Sequence, residues 1–171
     1  MPIRDATVDD ALAIADAHIR SWQAAYRGLL PAEFLDGLGD HLEDRTAWWL
    51  RLLRSDPDDV LVAEEEGTVV GFARVAKCRD ADHGLLHRVG EVQAIYLIES
   101  AWDMGIGRVL MAAAEARLAA RRPTSMCVWV LAVNTRARRF YEAAGWHADG
   151  VEKTETLPEA TLHEVRYVKV P

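Results

Sequence analysis

The chain has few cysteines and no long apolar run. Its two cysteines, Cys78 and Cys127, lie far apart and lack the C-x-x-C or Cys/His spacing of a disulfide framework or a zinc site. No segment approaches the roughly 18 apolar residues of a membrane span, and the charged start lacks the apolar core of a secretory signal. We therefore expect a cytoplasmic protein with reduced thiols and no membrane partner.

Basic charge is also scarce. The chain carries 20 lysines and arginines against 27 aspartates and glutamates, for a net charge of −7. A nucleic-acid binder needs a basic face to neutralise phosphates, so no nucleic-acid partner is expected, whereas the acidic balance leaves room for a cationic one. The histidines show no metal-ligand spacing, and we predict no metal. They are His18, His41, His83, His87, His147 and His163.

Apolar residues make up 50% of the chain, which is enough for one substantial core. We predict a single domain over 1–171 and an α/β fold, with a central mixed sheet flanked by helices. A short strand at Ile3 precedes a mostly helical N-terminal third, and the chain closes with one or two strands. The other predicted elements are a hairpin (60–64 and 68–75), strands (91–97 and 126–133) and helices (from Thr7, from Pro31, 45–53, 107–121 and 135–144).

Two of these helices have local signals worth stating. Thr7 is the predicted N-cap of the first, whose apolar face is expected to include Val8, Ala11, Leu12 and Ile19. Asn134 is the predicted N-cap of the last. The two consecutive strand–helix units favour parallel pairing of their strands by a right-handed crossover.

Two glycines, Gly105 and Gly107, separate a strand from the helix that follows it. A helix N-terminus presents unpaired backbone amides and a favourable dipole, so this turn is a possible pyrophosphate site, to which Arg108 would add a charge. A Rossmann fingerprint would need a third glycine where Leu110 stands, and no P-loop motif occurs in the chain. Taken alone, the turn is about equally consistent with a purely structural junction.

Three segments in register resemble the GCN5-related N-acetyltransferase (GNAT) superfamily. They are Glu91-Val-Gln-Ala-Ile-Tyr-Leu97, Trp102-Asp-Met-Gly-Ile-Gly-Arg108 and Asn134-Thr-Arg-Ala-Arg-Arg-Phe-Tyr-Glu-Ala-Ala-Gly-Trp146. The order of elements is similar to that fold over nearly the whole chain. The resemblance implies the acyl-CoA N-acyltransferase fold, acetyl-CoA as co-substrate and a small-molecule or peptide amine as acceptor. Relatives are often dimers, so it also implies that a homodimer is possible.

The resemblance also implies where acetyl-CoA is held. The backbone of Ile95, Tyr96 and Leu97 would pair with the pantetheine arm, and one of these amides would polarise the thioester carbonyl. Asn134 would contact the arm as well as cap its helix. The family's Q/R-x-x-G-x-G/A loop falls on Trp102, Asp103, Met104, Gly105, Ile106 and Gly107, with Arg108 following, so these amides would hold the pyrophosphate.

The sequence departs from the family pattern at two positions in this loop. Trp102 stands where Gln or Arg is usual, and Asp103 stands where glycine is common. A carboxylate near a pyrophosphate lowers affinity unless it points to solvent.

Two residues are implied to carry the chemistry. Tyr141 would protonate the departing CoA thiolate, since a phenol can donate to a thiolate; its alternative role is a buried core tyrosine on one helix face. Glu91 would be the base that helps deliver a free amine; its alternative is an ordinary solvated strand residue. Some relatives carry a catalytic Glu where this chain has Trp129, which cannot accept a proton.

The resulting hypothesis is an enzyme that moves acetyl from acetyl-CoA to a primary amine by direct attack in a ternary complex. A ping-pong route is disfavoured because Cys127 has no evident His-Asp partner. One alternative is a non-catalytic acyl-CoA-binding or regulatory module on the same fold. Another is a phosphate-ligand protein of unrelated fold.

Overall fold

The computed structural model describes residues 3–56, 59–79 and 89–171. Within these ranges the chain forms seven strands and five α-helices. The strands are β1 (Ile3–Asp5), β2 (Val60–Glu65), β3 (Thr68–Lys77), β4 (Val89–Leu97), β5 (Ser125–Leu131), β6 (His147–Thr156) and β7 (Thr161–Lys169). The helices are α1 (Ala11–Ala25), α2 (Ala32–Gly37), α3 (Leu42–Ser55), α4 (Ile106–Ala119) and α5 (Thr135–Ala143).

The strands form one mixed sheet in the order β1-β2-β3-β4-β5-β7-β6. Antiparallel pairing joins β1 to β2, β2 to β3, β5 to β7 and β6 to β7. Parallel pairing joins β4 to β5, with Glu91 opposite Cys127. The predicted mixed α/β sheet and the parallel strand pair are therefore confirmed.

Contacts between Cα atoms group the chain into two compact units. The first comprises residues 1–74 and 94–114, and the second comprises residues 75–93 and 115–171. The single domain expected over 1–171 stays a prediction.

The first unit contains the hairpin and the helical N-terminal third. The turn between β2 and β3 places Glu66 at φ 50° and Gly67 at φ 80°, the left-handed pair that matches the twist of a two-residue hairpin. Helix α1 packs against α3. Trp49 of α3 is buried and meets the Phe72 ring of β3 edge-on at 5.0 Å between centroids.

The start of α1 differs in part from its predicted apolar face. Leu12 is 57% exposed and Val8 is also exposed, whereas Ile14 and Ala17 are buried. Val8 lies in a short 3-10 turn, Val8–Asp10, because α1 itself begins only at Ala11. Leu12 lies about 200° around the helix from the buried Ile14, which places it on the opposite face.

An ion pair between Arg4 and Asp10 stabilises the turn before α1. Asp10 is buried and accepts hydrogen bonds from both terminal nitrogens of Arg4, at 2.8 and 2.9 Å, and from the backbone N–H of Thr7 at 2.7 Å. The hydrogen bonds from Arg4 lower the pKa of Asp10 to about 2, against the opposing effect of burial. Asp10 thus caps the 3-10 turn Val8–Asp10 and links that turn to Arg4 of β1.

The second unit contains β5, β6 and β7 with α5. Glu115 of α4 links Trp146, which follows α5, to Lys169 at the end of β7. Its carboxylate accepts from the Trp146 indole at 2.7 Å and from Lys169 Nζ at 2.8 and 2.9 Å. The Tyr167 hydroxyl is buried, donates to Glu142 at 2.7 Å and accepts from Arg138 at 3.1 Å. These contacts fasten α5 to β7.

Two sequence expectations concern the remaining segments. The closing strands are two, β6 and β7, and pair as a hairpin with a register shift between Ala148 and Glu152. Of the loop expected over 77–88, residues 80–88 lie outside the described residues. None of the helices described is long and apolar enough to cross a membrane.

Candidate active site

The end of β4 leads through a short 3-10 turn, Glu99–Ala101, into the glycine turn, and a hydrogen bond ties that turn back to the strand. The Trp102 indole N–H donates to the backbone carbonyl of Leu97 at 2.9 Å. Trp102 departs from the family pattern, yet its side chain joins the last residue of β4 to the first residue of the loop. The departure therefore leaves the loop anchored.

The backbone of the loop explains which of its positions favour glycine. Gly105 has φ 80° and Asp103 has φ 59°, both in the left-handed region that side chains other than those of Asn and Asp rarely adopt. A Cβ built on Gly105 meets no atom within 4 Å, so backbone conformation and not crowding requires glycine there. Asp103 is an exposed residue in the same conformation, which accounts for the glycine common at that position in the family.

Helix α4 begins directly after Gly105. The first intrahelical bond of this end joins the Val109 N–H to the Gly105 carbonyl at 3.3 Å. By the geometry of any α-helix, the amides of Ile106, Gly107 and Arg108 precede that bond and lie at the positive end of the helix dipole. Ile106 is buried and fixes the helix in the core, while Met104 and Arg108 are exposed. The turn can therefore offer amides and one guanidinium to an anion.

Tyr96 of β4 lies within an aromatic cluster of the first unit. Its ring stacks on the imidazole of His18, with centroids 5.1 Å apart and planes 26° apart, and Phe72 and Trp22 lie at 5.8 and 6.3 Å. Arg45 donates to His18 Nδ1 at 3.3 Å. Burial, reinforced by the charge of Arg45, lowers the pKa of His18 to about 3, so the imidazole is neutral at neutral pH.

Asn134 begins α5 and is buried, with 7% of its surface exposed. Its Oδ1 accepts the backbone N–H of Ala137 at 3.0 Å. The predicted N-cap role is confirmed. Its contact with the cofactor arm stays a prediction.

Tyr141 is the buried residue of α5, with 6% of its surface exposed. Its ring packs against those of Phe140, Tyr167 and Trp146 at centroid distances of 5.4, 6.0 and 6.4 Å. The side chain is thus held in one position by aromatic contacts. That environment is consistent with both roles weighed for it, since an acid that protonates a leaving group also needs a fixed, dry position.

Glu91 of β4 is fully buried and ion-paired. Its Oε1 accepts from Arg79 Nη2 at 2.6 Å and Nε at 3.1 Å, and its Oε2 accepts the Arg79 backbone N–H at 2.9 Å. Its exposed fraction is 0%, so the solvated strand residue considered from the sequence is not what the structure contains. Glu91 can accept a proton only if Arg79 releases its hydrogen bond to one of these oxygens.

A second carboxylate of the second unit is better suited to accept a proton. Burial raises the pKa of Glu164 on β7, an effect that Lys153, 3.5 Å away, partly offsets. Lys153 also lies over the Trp129 ring, 4.2 Å from its centroid. No local sequence pattern reveals the burial of Glu164, because it depends on the pairing of β7 with β5 and β6.

The two cysteines, distant in sequence, are neighbours in the fold. The Cys127 thiol lies 3.5 Å from that of Cys78, and both lie near Glu91. These donors have no metal-ligand spacing along the chain because they come from three separate strands or strand ends. Among the described residues, they are the set of His, Cys, Asp and Glu side chains close enough together to share an ion.

The structure groups the expected site residues in two sets. In the first unit, Ile95, Tyr96 and Leu97 end the strand to which Trp102 ties the loop from Asp103 to Arg108. In the second unit, Asn134 and Tyr141 share α5, and Glu91 lies on the part of β4 paired with β5. Sequence reasoning missed Arg79 as the partner of Glu91.

The sheet order, the parallel β4–β5 pair and a glycine turn at the start of α4 define the class of acyltransferases with this fold. Solved structures agree. The chain aligns over 99% of its length with a PaiA N-acetyltransferase from Thermoplasma acidophilum in complex with coenzyme A, at TM-score 0.74, 17% identity and 98% of that chain. A YncA acetyltransferase from Salmonella typhimurium with acetyl-CoA aligns over 99% of this chain and 93% of its own, at TM-score 0.72 and 20% identity.

The family model described as Acetyltransferase (GNAT) family matches residues 19–146, and the chain belongs to this family. An uncharacterised N-acetyltransferase of Bacillus subtilis, YuaI, is 34% identical over 82% of this chain and 77% of its own. An uncharacterised N-acetyltransferase of Archaeoglobus fulgidus is 32% identical over 82% of this chain and 89% of its own. The chain is therefore an acetyltransferase, and acetyl-CoA is its co-substrate.

Proposed function

We propose that this protein transfers the acetyl group of acetyl-CoA to a primary amine of a small molecule or peptide by direct attack in a ternary complex. The observation that carries the proposal is the turn from Asp103 to Gly105, which has two left-handed residues and leads directly into the N-terminus of α4 at Ile106. Such a turn presents consecutive amides to a pyrophosphate without any side chain between them.

In the proposed reaction the amine nitrogen attacks the thioester carbonyl, the carbon–sulfur bond breaks, and the thiolate takes a proton. The backbone at Ile95, Tyr96 and Leu97 holds the pantetheine arm, and one of its amides stabilises the oxyanion. Tyr141 supplies the proton to the thiolate. Its fixation among three aromatic rings supports that role, because a positioned donor needs no reorganisation during the reaction.

The base that removes a proton from the amine is Glu91 in this proposal. Arg79 holds both carboxylate oxygens of Glu91, so Glu91 can take a proton only when Arg79 releases one of them. Glu164 is the rival base within the same unit, because burial makes its carboxylate a stronger base than an exposed glutamate.

One observation favours the alternative of a non-catalytic acyl-CoA-binding module. Arg79 occupies both oxygens of a fully buried Glu91, which is also the arrangement of a purely structural ion pair. Such a module binds acetyl-CoA but releases no CoA thiol in the presence of amines.

The test is CoA-thiol release over a panel of primary amines, with the N-acetyl product identified by mass spectrometry. We expect release that depends on an amine, in proportion to product. Binding of acetyl-CoA without release by any amine of the panel supports the non-catalytic module. Thermal stabilisation by a nucleotide greater than that by acetyl-CoA contradicts the proposed ligand.

The proton-transfer roles are tested with the accepted amine. We expect Tyr141→Phe to lower kcat by about 10²-fold or more, as is usual for a lost general acid, with little change in KM for acetyl-CoA. Phe140→Leu is the matched control, since it alters a neighbouring ring and leaves the phenol. An unchanged kcat in Tyr141→Phe across the pH range contradicts the assignment.

The two candidate bases are separated by pH profiles of kcat/KM. If Glu91 is the base, Glu91→Gln removes the acidic limb and Glu164→Gln keeps it. If Glu164 is the base, the acidic limb of the wild type lies above the pH expected of an ordinary glutamate, because its pKa is raised, and Glu164→Gln removes it.

A further inference from the structure

Three soft or anionic donors meet on one side of the second unit. Cys78 follows β3, Glu91 lies on β4 and Cys127 lies on β5, and one ligand atom from each lies within 4.8 Å of the others. Cys127 and Glu91 are buried, and Cys78 is half-buried. We propose that Cys78, Cys127 and Glu91 form a binding site for one thiophilic divalent cation, of which Zn²⁺ is the reference.

The spacing of the sulfur atoms suits a shared ion. Two Zn–S bonds of about 2.3 Å at a tetrahedral angle place the sulfurs about 3.8 Å apart. The observed separation is 3.5 Å. The three ligand atoms lie within 4.8 Å of one another, so a shared ion requires the carboxylate and the thiols to move closer together.

The two thiols are close to each other but are not bonded. The Cys78 N–H donates to the Val89 carbonyl of β4, and β4 in turn pairs with β5, where Glu91 lies opposite Cys127. The two sulfur atoms lie 3.5 Å apart, well beyond the roughly 2.05 Å of a disulfide bond. The observed separation is closer to that of two thiolates on one ion than to that of a covalent pair.

Charge and hydrogen bonding are also compatible with a divalent ion. Two thiolates and the Glu91 carboxylate carry three negative charges, and Arg79 with a divalent cation supplies three positive charges, so the buried group is neutral overall. Glu91 Oε2 accepts one hydrogen bond, from the Arg79 backbone, and keeps a lone pair for the ion. Arg79 fixes the carboxylate in the manner of a residue that orients a metal ligand.

Three protein donors leave the fourth tetrahedral position open to water. The metal site does not depend on the proposed function, but one consequence does: if Glu91 is the base, an ion on its carboxylate withdraws it from proton transfer. Zn²⁺ then inhibits acetyl transfer, and a chelator restores it.

The first test is titration of the whole protein with Co²⁺ as a spectroscopic substitute for Zn²⁺. We expect one ion per chain, a sulfur-to-cobalt charge-transfer band and the d–d bands of tetrahedral coordination. Cys78→Ser and Cys127→Ser should each lose the charge-transfer intensity in part and raise the Kd at least tenfold. Glu91→Gln should likewise bind Co²⁺ more weakly. Its matched control, Glu152→Gln, changes an exposed residue of β6 and should bind Co²⁺ as the wild type does.

Wild-type measurements keep the proposal falsifiable if a cysteine variant fails to fold. Zn²⁺ should displace Co²⁺ stoichiometrically and protect the half-buried Cys78 from alkylation. Absence of the charge-transfer band in the wild type overturns the proposal, as does formation of a Cys78–Cys127 disulfide in air without loss of fold. These readouts need no acetyl transfer, so they fail or succeed independently of the proposed function.

Discussion

The loop from Asp103 to Arg108, which we propose binds pyrophosphate, shows at residue scale what a sequence reveals and what it hides. The positions of Gly105 and Gly107 were enough to predict a strand-to-helix turn. Asp103 seemed unfavourable only for its charge, because φ cannot be read from residue letters. The structure gives a second reason: Asp103 adopts φ 59°, a conformation in which glycine carries no steric penalty.

Asp103→Gly is therefore expected to raise both the stability of the protein and its affinity for acetyl-CoA. It removes a left-handed strain of about 1 kcal/mol and a negative charge beside the proposed pyrophosphate site. We expect a higher Tm and a Kd for acetyl-CoA that is several-fold lower, measured by thermal unfolding and by titration calorimetry.

Asp103→Asn separates these two contributions, because asparagine tolerates the left-handed conformation but carries no charge. We expect it to keep most of the gain in affinity of the glycine variant without the gain in Tm. Equal affinity of all three proteins would show that the carboxylate points away from the ligand.

The residues around Glu91 could not be grouped from the sequence. Arg79, Cys78 and Cys127 give no motif in the sequence, since they meet only when three strands are aligned. Arg79 also lies within the segment 77–88 that was expected to be a loop, which gave no reason to pair it with a residue of β4. Long-range register, and not local pattern, determines this cluster.

At the scale of elements the sequence was informative. The predicted hairpin, the strand–helix units and the closing strands are confirmed, because apolar periodicity and turn residues are local signals. The apolar face of α1 was predicted only in part, since Val8 lies in the 3-10 turn at Val8–Asp10 and Leu12 lies on the face opposite the buried Ile14. Ends and phases of helices depend on tertiary contacts such as that between Arg4 and Asp10.

The N-cap of α5 is the element with the clearest testable consequence. Asn134→Ala removes the acceptor for the Ala137 N–H and should lower the free energy of unfolding by about 0.5–2 kcal/mol. Denaturant unfolding measures the change. Asn134→Ser keeps a capping oxygen and is expected to retain most of the stability.

The serine variant also tests the second role proposed for Asn134. If the amide contacts the cofactor arm, Asn134→Ser weakens acetyl-CoA binding while stability is kept. Wild-type affinity in that variant would limit Asn134 to helix capping.

For the molecule as a whole, pH links an internal histidine to stability. Burial lowers the pKa of His18 to about 3, whereas an unfolded histidine titrates near pH 6.5. Between these values the unfolded chain binds a proton that the folded chain does not, so stability falls as pH falls below about 6.5. The loss attributable to His18 at pH 5 is on the order of 1–2 kcal/mol.

Denaturant unfolding at several pH values between 7 and 5 measures this slope. We expect His18→Gln to flatten it, whatever the variant's stability at pH 7, because glutamine does not titrate. His147→Gln, which removes an exposed histidine of β6, is the matched control and should keep the wild-type slope. Identical slopes in all three proteins would contradict the buried, neutral state of His18.

The family of the whole molecule could be predicted from three short motifs, whereas its acceptor could not. The motifs are short and local, whereas contacts between separate elements, such as that of Trp129 with Lys153, depend on long-range strand pairing that no motif reveals. The homodimer suggested by the resemblance likewise stays a prediction.

The most direct test of the central claim is a two-substrate initial-velocity measurement with acetyl-CoA and the amine found by the panel. Direct attack in a ternary complex predicts double-reciprocal lines that intersect, and an intact protein mass unchanged after incubation with acetyl-CoA alone. Parallel lines together with an acetylated protein would contradict the account, because they would show that the acetyl group passes through a covalent acyl-enzyme.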